Sequence, residues 1–91
     1  LEEGVRQLTS VPAGVFGLED RGRLAPGCAA DVTVFDPATI APGPLEMRRD
    51  LPANGRRLYN QSLGIPWVLV NGQPVVEQGH LTSARAGQLL A

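Results

Sequence analysis

The chain has few of the residues from which enzyme active sites are built. Its 91 residues include no lysine, one cysteine (Cys28) and one histidine (His80). A zinc centre normally draws on several histidine, carboxylate or thiolate ligands, and a Schiff base requires a lysine. Ser10, Ser62 and Ser83 are available as partners for His80, but none lies in a G-x-S-x-G nucleophile elbow. The sequence therefore predicts that the chain by itself holds no catalytic residue and no metal or other cofactor.

Other absences exclude classes of partner. Eight arginines against nine acidic residues give a net charge of −1, without the basic excess that phosphate backbones attract, so we expect no nucleic-acid partner. The longest apolar run, near Ile65–Val70, is far shorter than the roughly 20 residues of a membrane helix. One cysteine cannot form an internal disulfide, and no charged segment followed by an apolar one opens the chain. We therefore expect a cytoplasmic protein without a membrane partner.

The composition is typical of a small, loop-rich globular domain. The chain is 43% hydrophobic but only 4% aromatic, and it contains 11 glycines and 8 prolines. A chain of this length buries only about 60% of its unfolded surface, which limits it to one domain with a small core.

Local patterns predict two short helices before any strand. Leu1–Thr9 places apolar residues at helical spacing, with acidic residues in the first turn. Pro12–Phe16 is predicted to form one further turn or two, because proline suits the first position of a helix. Gly17 follows at the place where a left-handed residue ends a helix.

Strand signals follow from residue 31 onwards. Asp31–Asp36 is the clearest strand, with apolar side chains on both faces. Ile65–Val70 and Gln73–Glu77 flank Asn71-Gly72, a dipeptide that favours a type I′ turn, and so predict a β-hairpin. Pro37–Gln61, rich in proline, glycine and paired arginines, is expected to be a structureless loop that is functional or lies on another surface. Ala84–Ala91 is compatible with a terminal helical turn or a tail.

Three strands and one or two short helices do not close a sheet. Exposed strand edges pair readily with another chain or with another part of the same protein. The sequence therefore predicts a mainly β piece that requires a partner. That partner is either a further part of a longer chain or a second copy, which would associate through the exposed edges.

Two stretches of the chain contain spaced sets of glycine, acidic and apolar residues. The first stretch contains Gly17-Leu18, Asp20-Arg21-Gly22, Leu24, Gly27, Ala30-Asp31, Val34 and Asp36-Pro37. The second contains Gly64-Ile65, Val68, Val70-Asn71-Gly72, Val75-Val76, Gly79, Thr82, Ala84-Arg85, Gly87 and Leu90. Both stretches resemble sequence runs of amidohydrolase-superfamily enzymes, and the N-acyl-D-amino-acid deacylase (D-aminoacylase) branch is the most similar. The resemblance spans nearly the whole chain; among its departures, Ala86 stands where the family tends to have proline.

The resemblance implies a C-terminal segment of a longer, zinc-dependent hydrolase that acts on N-acyl amino acids. Residues 1–17 would be the last helix of a TIM barrel and a short helix, and residues 18–91 the C-terminal part of a partial small β-sandwich. The partners would be the missing N-terminal strands and barrel. The family's metal ligands and catalytic aspartate lie in that barrel, so no catalytic or metal role transfers to a residue of this chain.

Nine residues of the resembling runs are expected to have structural roles: Gly17, Asp20, Arg21, Gly22, Gly27, Asp31, Asp36, Asn71 and Gly72. The Arg21 guanidinium could bind a substrate carboxylate. We prefer a structural role, in which it fixes its own turn by hydrogen bonds to backbone carbonyls or to Asp31. Asp31 and Asp36 stand at opposite ends of a strand and so do not form a catalytic pair.

The remaining unusual side chains have ordinary explanations. We expect Cys28 to be a partly buried small side chain, His80 a polar loop residue and Trp67 an apolar anchor on the first hairpin strand. The pairs Arg48-Arg49 and Arg56-Arg57 are interpreted mostly as solvated loop charges, and an interface role is the less favoured interpretation.

Two alternatives stay open at the level of sequence. The first is a free-standing β-rich binding or assembly module that dimerises through its hairpin edge. The second is another branch of the superfamily, such as a dihydroorotase-like or cytosine-deaminase-like enzyme that shares the same β-sandwich.

Overall fold

Two short helices open the chain in a computed structural model that describes residues 1–90. Helix α1 spans Glu2–Leu8, and helix α2 spans Ser10–Val15. In α1 the Arg6 guanidinium donates to both carboxylate oxygens of Glu3, at 2.8 and 2.7 Å. Helix α1 confirms the predicted helix, and α2 begins two residues before the predicted Pro12.

Gly17 ends α2 in the way that the sequence predicts. Its φ is +70°, and its backbone N–H donates to the carbonyl of Gly14. The next N–H, from Leu18, donates to the carbonyl of Ala13 at 2.9 Å. These two bonds form the Schellman motif, which satisfies the last carbonyls of the helix.

Eight short strands follow and form three sheets. They are β1 (Val32–Val34), β2 (Ala41–Pro42), β3 (Glu46–Leu51), β4 (Gly55–Tyr59), β5 (Ser62–Leu63), β6 (Trp67–Val70), β7 (Gln73–Glu77) and β8 (His80–Leu81). The largest sheet is antiparallel with the order β1-β6-β7-β8, and the pairs β2-β5 and β3-β4 are separate two-stranded sheets. The mainly β architecture with short helices confirms the predicted fold class. The completed β-sandwich, and the division of the chain at residue 17, stay predictions.

The hairpin β6–β7 is confirmed in position and in turn type. Val70 pairs with Gln73, and the two residues between them have positive φ angles, +49° at Asn71 and +77° at Gly72, as a type I′ turn requires. A second turn with two positive φ angles, at Gln78 and Gly79, leads into β8. The prediction of His80 as a loop residue is therefore wrong, because it pairs with Glu77 in this sheet.

The prediction of a structureless segment at Pro37–Gln61 is wrong. Strands β2, β3 and β4 lie within it, and Pro52–Asn54 forms a 3-10 turn between β3 and β4. Pro42 ends β2 and Pro52 directly follows β3, positions where a missing N–H costs little. The arginine pairs accordingly lie in strands rather than in a loop.

Residues 46–59, comprising β3, the 3-10 turn and β4, form a hairpin that we call the arm. Glu46 pairs with Tyr59, Met47 with Leu58 and Arg48 with Arg57, and the register shifts before Leu51. Within residues 1–90, no other helix or strand packs closely against the arm.

The described chain is open and has almost no core of its own. Its radius of gyration is 15.6 Å, against about 12 Å for a compact domain of this length. Its accessible surface is 7224 Å², against about 5,100 Å² for a folded monomer of this mass. Ala13 is the only buried hydrophobic residue among residues 1–90, so most apolar side chains lack a covering layer.

The C-terminal residues form no helix or strand. Within the predicted segment Ala84–Ala91, residues 84–90 are irregular and so form a tail, while Ala91 lies outside the described residues. No helix in the described part of the chain is long and apolar enough to cross a membrane.

Candidate functional site

Arg21 lies at the centre of the most connected group of polar side chains, which we call the Arg21 cluster: Asp20, Arg21, Asp31 and Asn71. Its Nε lies 3.2 Å from Asp31 Oδ2, its Nη1 lies 3.1 Å from Asp20 Oδ2, and its Nη2 donates to Asn71 Oδ1 at 3.4 Å. The Arg21 side chain is only 16% exposed, whereas that of Asp20 is 61% exposed. The cluster thus joins the segment after α2 to the start of β1 and to the β6–β7 turn.

Asn71 completes the cluster through its backbone and its side chain. Its backbone N–H donates to Asp31 Oδ1 at 2.8 Å, and its Nδ2 donates to the carbonyl of Ala86 at 2.7 Å. The following N–H, from Gly72, donates to the carbonyl of Ala30 at 2.9 Å. The β6–β7 turn therefore binds the C-terminal tail on one side and the residues just before β1 on the other.

The donors of Arg21 in the cluster are occupied by side chains of its own chain. Arg21 is bound by two carboxylates and an amide of its own chain, so those donors are not free for a substrate carboxylate. Of the structural partners expected for Arg21, the carbonyls of its own turn or Asp31, the structure contains the contact with Asp31. The predicted motif residues Asp20, Arg21, Asp31, Asn71 and Gly72 come together here, although they span more than 50 positions of sequence.

The other four predicted motif residues lie elsewhere and shape turns. Gly17 ends α2, and Gly22 and Gly27 both have φ angles of +86°. A Cβ at Gly22 would lie 2.6 Å from Ala13 Cβ, whereas a Cβ at Gly27 would have no neighbour within 4 Å. Asp36 Oδ1 accepts from the N–H of Ala38 at 2.9 Å and so closes an Asx turn after β1.

The side chains of the described residues do not fit a zinc site. Within residues 1–90, no group of three or more histidine, cysteine, aspartate or glutamate side chains is arranged to hold a metal ion. His80 is exposed in β8, and Cys28 is partly buried, as predicted for that thiol.

An apolar groove of about 750 Å³ lies between α1 and β1 and is called the α1 groove here. Its apolar lining includes Val5 and Leu8 of α1, Leu24, Phe35 and Ile40. Strand β1 is at the edge of its sheet, because it pairs only with β6. The groove and the open strand edge together present a surface suited to a further apolar segment.

The arm carries a second polar network on one face. Arg57 donates to both carboxylate oxygens of Asp50, at 2.8 and 2.6 Å, and this bond lowers the pKa of Asp50 below its ordinary value. The Arg48 guanidinium lies 3.6 Å from the centre of the Tyr59 ring and also donates to Glu46. Arg48 and Arg57 face each other across the strands. The carboxylates of Glu46 and Asp50 offset the repulsion between the two guanidinium groups.

The sequence reasoning missed this network and several backbone contacts. Glu46, Arg48 and Asp50 stand at every second position, a strand spacing that the charge of Arg49 and the neighbouring prolines obscured. Thr82 was also missed; its hydroxyl donates to the carbonyl of Pro74 at 2.7 Å and ties the tail to β7. A single threonine in a loop gives no sequence signal for such a contact.

Comparison with known proteins gives a consistent result. The profile described as "Amidohydrolase family" matches residues 1–76. Two enzymes of Alcaligenes xylosoxydans xylosoxydans are similar along the chain. A D-aminoacylase is 38% identical over 91 residues, which is all of this chain, and an N-acyl-D-glutamate deacylase is 44% identical over 90 residues, or 99% of it.

A dihydroorotase of Lactobacillus acidophilus is 34% identical over 83 residues, or 87% of this chain. The chain spans only 17% of the D-aminoacylase, 16% of the N-acyl-D-glutamate deacylase and 19% of the dihydroorotase. No solved structure gives a significant match.

Proposed function

The chain belongs to the amidohydrolase family, and from this membership we propose that it is the C-terminal segment of a metal-dependent hydrolase that cleaves the amide bond of N-acyl-D-amino acids. The observation that carries the proposal is the similarity to two D-specific deacylases over essentially the whole chain. The similarity to the dihydroorotase is lower in identity than that to either deacylase and covers less of the chain.

The proposed role of this chain is structural. The Arg21 cluster holds the turn after α2, the start of β1, the β6–β7 hairpin and the tail in one arrangement. None of these contacts presents a nucleophile beside a general base. We therefore assign catalysis to the rest of the parent protein.

The proposed partners are the N-terminal strands and the barrel of that parent. The α1 groove and the open edge of β1 support the assignment, since both lack a covering element among residues 1–90. The accessible surface, about 2,000 Å² larger than that of a folded monomer of this mass, also supports it. Burial of that apolar surface would stabilise the parent, at about 25 cal/mol per Å².

Amidohydrolase-superfamily members are typically metal-dependent. We propose zinc for the parent, held by residues outside this chain. When bound, zinc lowers the pKa of a water molecule and polarises the amide carbonyl. A cytoplasmic location is part of the same proposal and is supported by the absence of a cysteine pair.

The test is an assay of the protein produced from the intact gene. We expect hydrolysis of N-acyl-D-glutamate or another N-acyl-D-amino acid in preference to the L enantiomer and to dihydroorotate. Chelation should abolish the activity, and zinc should restore it. Preferential turnover of dihydroorotate would indicate that the parent protein is a dihydroorotase rather than a deacylase.

The 91-residue chain, purified from a host that lacks deacylases, is the matched control and should be inactive. Metal-dependent hydrolysis by this chain alone would contradict the structural role. If the gene encodes nothing beyond these residues, the free-standing assembly module becomes the better explanation. Concentration-dependent dimerisation in sedimentation would then be expected.

A further inference from the structure

The chain contains two asparagine-glycine dipeptides, Asn54-Gly55 in the arm and Asn71-Gly72 in the β6–β7 turn. This dipeptide is chemically labile because glycine has no side chain to hinder the attack of its backbone nitrogen on the asparagine side chain. Both asparagines lie in turns, with φ angles of +57° and +49°. The shared dipeptide therefore gives the two sites similar intrinsic reactivity.

The surroundings of Asn71 restrain the groups that must move for the ring to close. The attacking nitrogen, that of Gly72, donates its proton to the carbonyl of Ala30 at 2.9 Å. The Nδ2 that would leave is bound to the carbonyl of Ala86 at 2.7 Å, and Oδ1 accepts from Arg21. Asn71 is also half-buried. Ring closure therefore requires the Arg21 cluster to open first.

The surroundings of Asn54 restrain it far less. Its side chain is exposed and makes no hydrogen bond among residues 1–90, so it rotates freely. The Gly55 N–H is bound to the carbonyl of Pro52, within the same turn. Ala53 also has a positive φ, +59°, a backbone conformation that is strained for a residue with a Cβ. An isolated two-stranded hairpin is marginally stable, so this turn opens easily.

We propose that Asn54 is a site of spontaneous deamidation and that the Arg21 cluster protects the chemically equivalent Asn71. The proposal rests on the two turns alone and does not depend on the proposed function. The Gly55 nitrogen loses its proton and attacks Cγ of Asn54, the Cγ–Nδ2 bond breaks, and ammonia leaves. Water then opens the cyclic imide at either carbonyl and yields an aspartyl or an isoaspartyl residue.

The modification would change the arm in two ways. Residues 46–59 carry four arginines and two acids, a net charge of +2, and a carboxylate at position 54 lowers it to +1. An isoaspartyl residue adds one carbon to the main chain inside the turn. Because turn length sets the register of a hairpin, the pairing of Arg48 with Arg57 would then shift.

The experiment is peptide mapping by mass spectrometry of the intact folded protein during incubation in mildly alkaline buffer. We expect the peptide with Asn54 to convert to aspartyl and isoaspartyl forms at least about tenfold faster than the peptide with Asn71, a ratio equivalent to about 1.4 kcal/mol of protection. In denaturant the two peptides should convert at similar rates. Equal rates in the folded protein, or no conversion at Asn54, would overturn the proposal.

A variant tests whether the Arg21 cluster provides the protection. Asp31→Asn removes the charge that holds Arg21 and should raise the rate at Asn71 roughly tenfold, with the rate at Asn54 unchanged. The matched control is Asp36→Asn, an acid at the other end of β1 that does not contact Asn71. If Asp31→Asn prevents folding, the comparison of the two asparagines in the unmodified protein still decides the question. An unchanged rate at Asn71 in a folded variant would assign the protection to another part of the molecule.

Discussion

The β6–β7 hairpin and the arm are both two-stranded antiparallel hairpins with an Asn-Gly dipeptide at or beside the turn, yet they differ in what holds them. The β6–β7 turn is bound by Asp31, Arg21, Ala30 and Ala86, all distant in sequence. Among residues 1–90, the arm is bound by the pairing of its own strands, by its own ion pairs and by stacking on Tyr59. The difference shows that contacts from distant segments, rather than turn residues, make the β6–β7 hairpin part of the fold.

The largest expected effect comes from filling the space at Gly22, beside the Arg21 cluster. Gly22→Ala should lower the stability of the intact protein by about 3 kcal/mol, because it combines left-handed strain with overlap against Ala13 and Thr9. Gly27→Ala, with the same φ and open space around it, should cost only about 1 kcal/mol. Urea unfolding of both variants measures the difference. Equal losses would mean that backbone strain alone matters at these turns.

Removal of the central guanidinium should have the next largest effect. Arg21→Ala leaves Asp31 and Asn71 without their shared partner and should cost about 2 kcal/mol, the range of hydrogen bonds to charged groups. Arg23→Ala, an exposed arginine two positions away, is the matched control and should change the urea midpoint little. Similar losses in both variants would remove the distinction between the Arg21 cluster and ordinary surface charges.

The smallest expected effect is a pH dependence of the arm. Since the bond from Arg57 lowers the pKa of Asp50 in the fold, the contribution of this ion pair is present above the ordinary aspartate pKa of about 3.9. It is lost as the pH falls through the lowered value. Amide exchange in the arm, corrected for its intrinsic pH dependence, should therefore accelerate at acidic pH. Asp50→Asn should abolish that acceleration, and an unchanged profile in this variant would assign it to another group.

The elements set by local pattern were predictable from sequence. The periodicity of residues 1–9, the glycine after α2 and the Asn-Gly dipeptide each determine backbone geometry over a few residues, and each was found where expected. The arm was not predicted, because Pro37, Pro42, Pro44 and Pro52 suggested an irregular loop while its own alternation of charges was short. Among the candidate residues, the contact of Arg21 with Asp31 was anticipated, but its contact with Asn71 was not.

The sequence by itself determined the turns and the short helices, because these depend on neighbouring residues. Only the tertiary structure decided which residues meet around Arg21, and that the side chain of Asn71 is hydrogen-bonded while that of Asn54 has no such partner among residues 1–90. The physical reason is that hydrogen bonds between distant segments depend on how the strands pair, which no local pattern encodes. Strand order brings Arg21, Asp31 and Ala86 to the β6–β7 turn and, within residues 1–90, brings no distant side chain into hydrogen-bond contact with the turn of the arm.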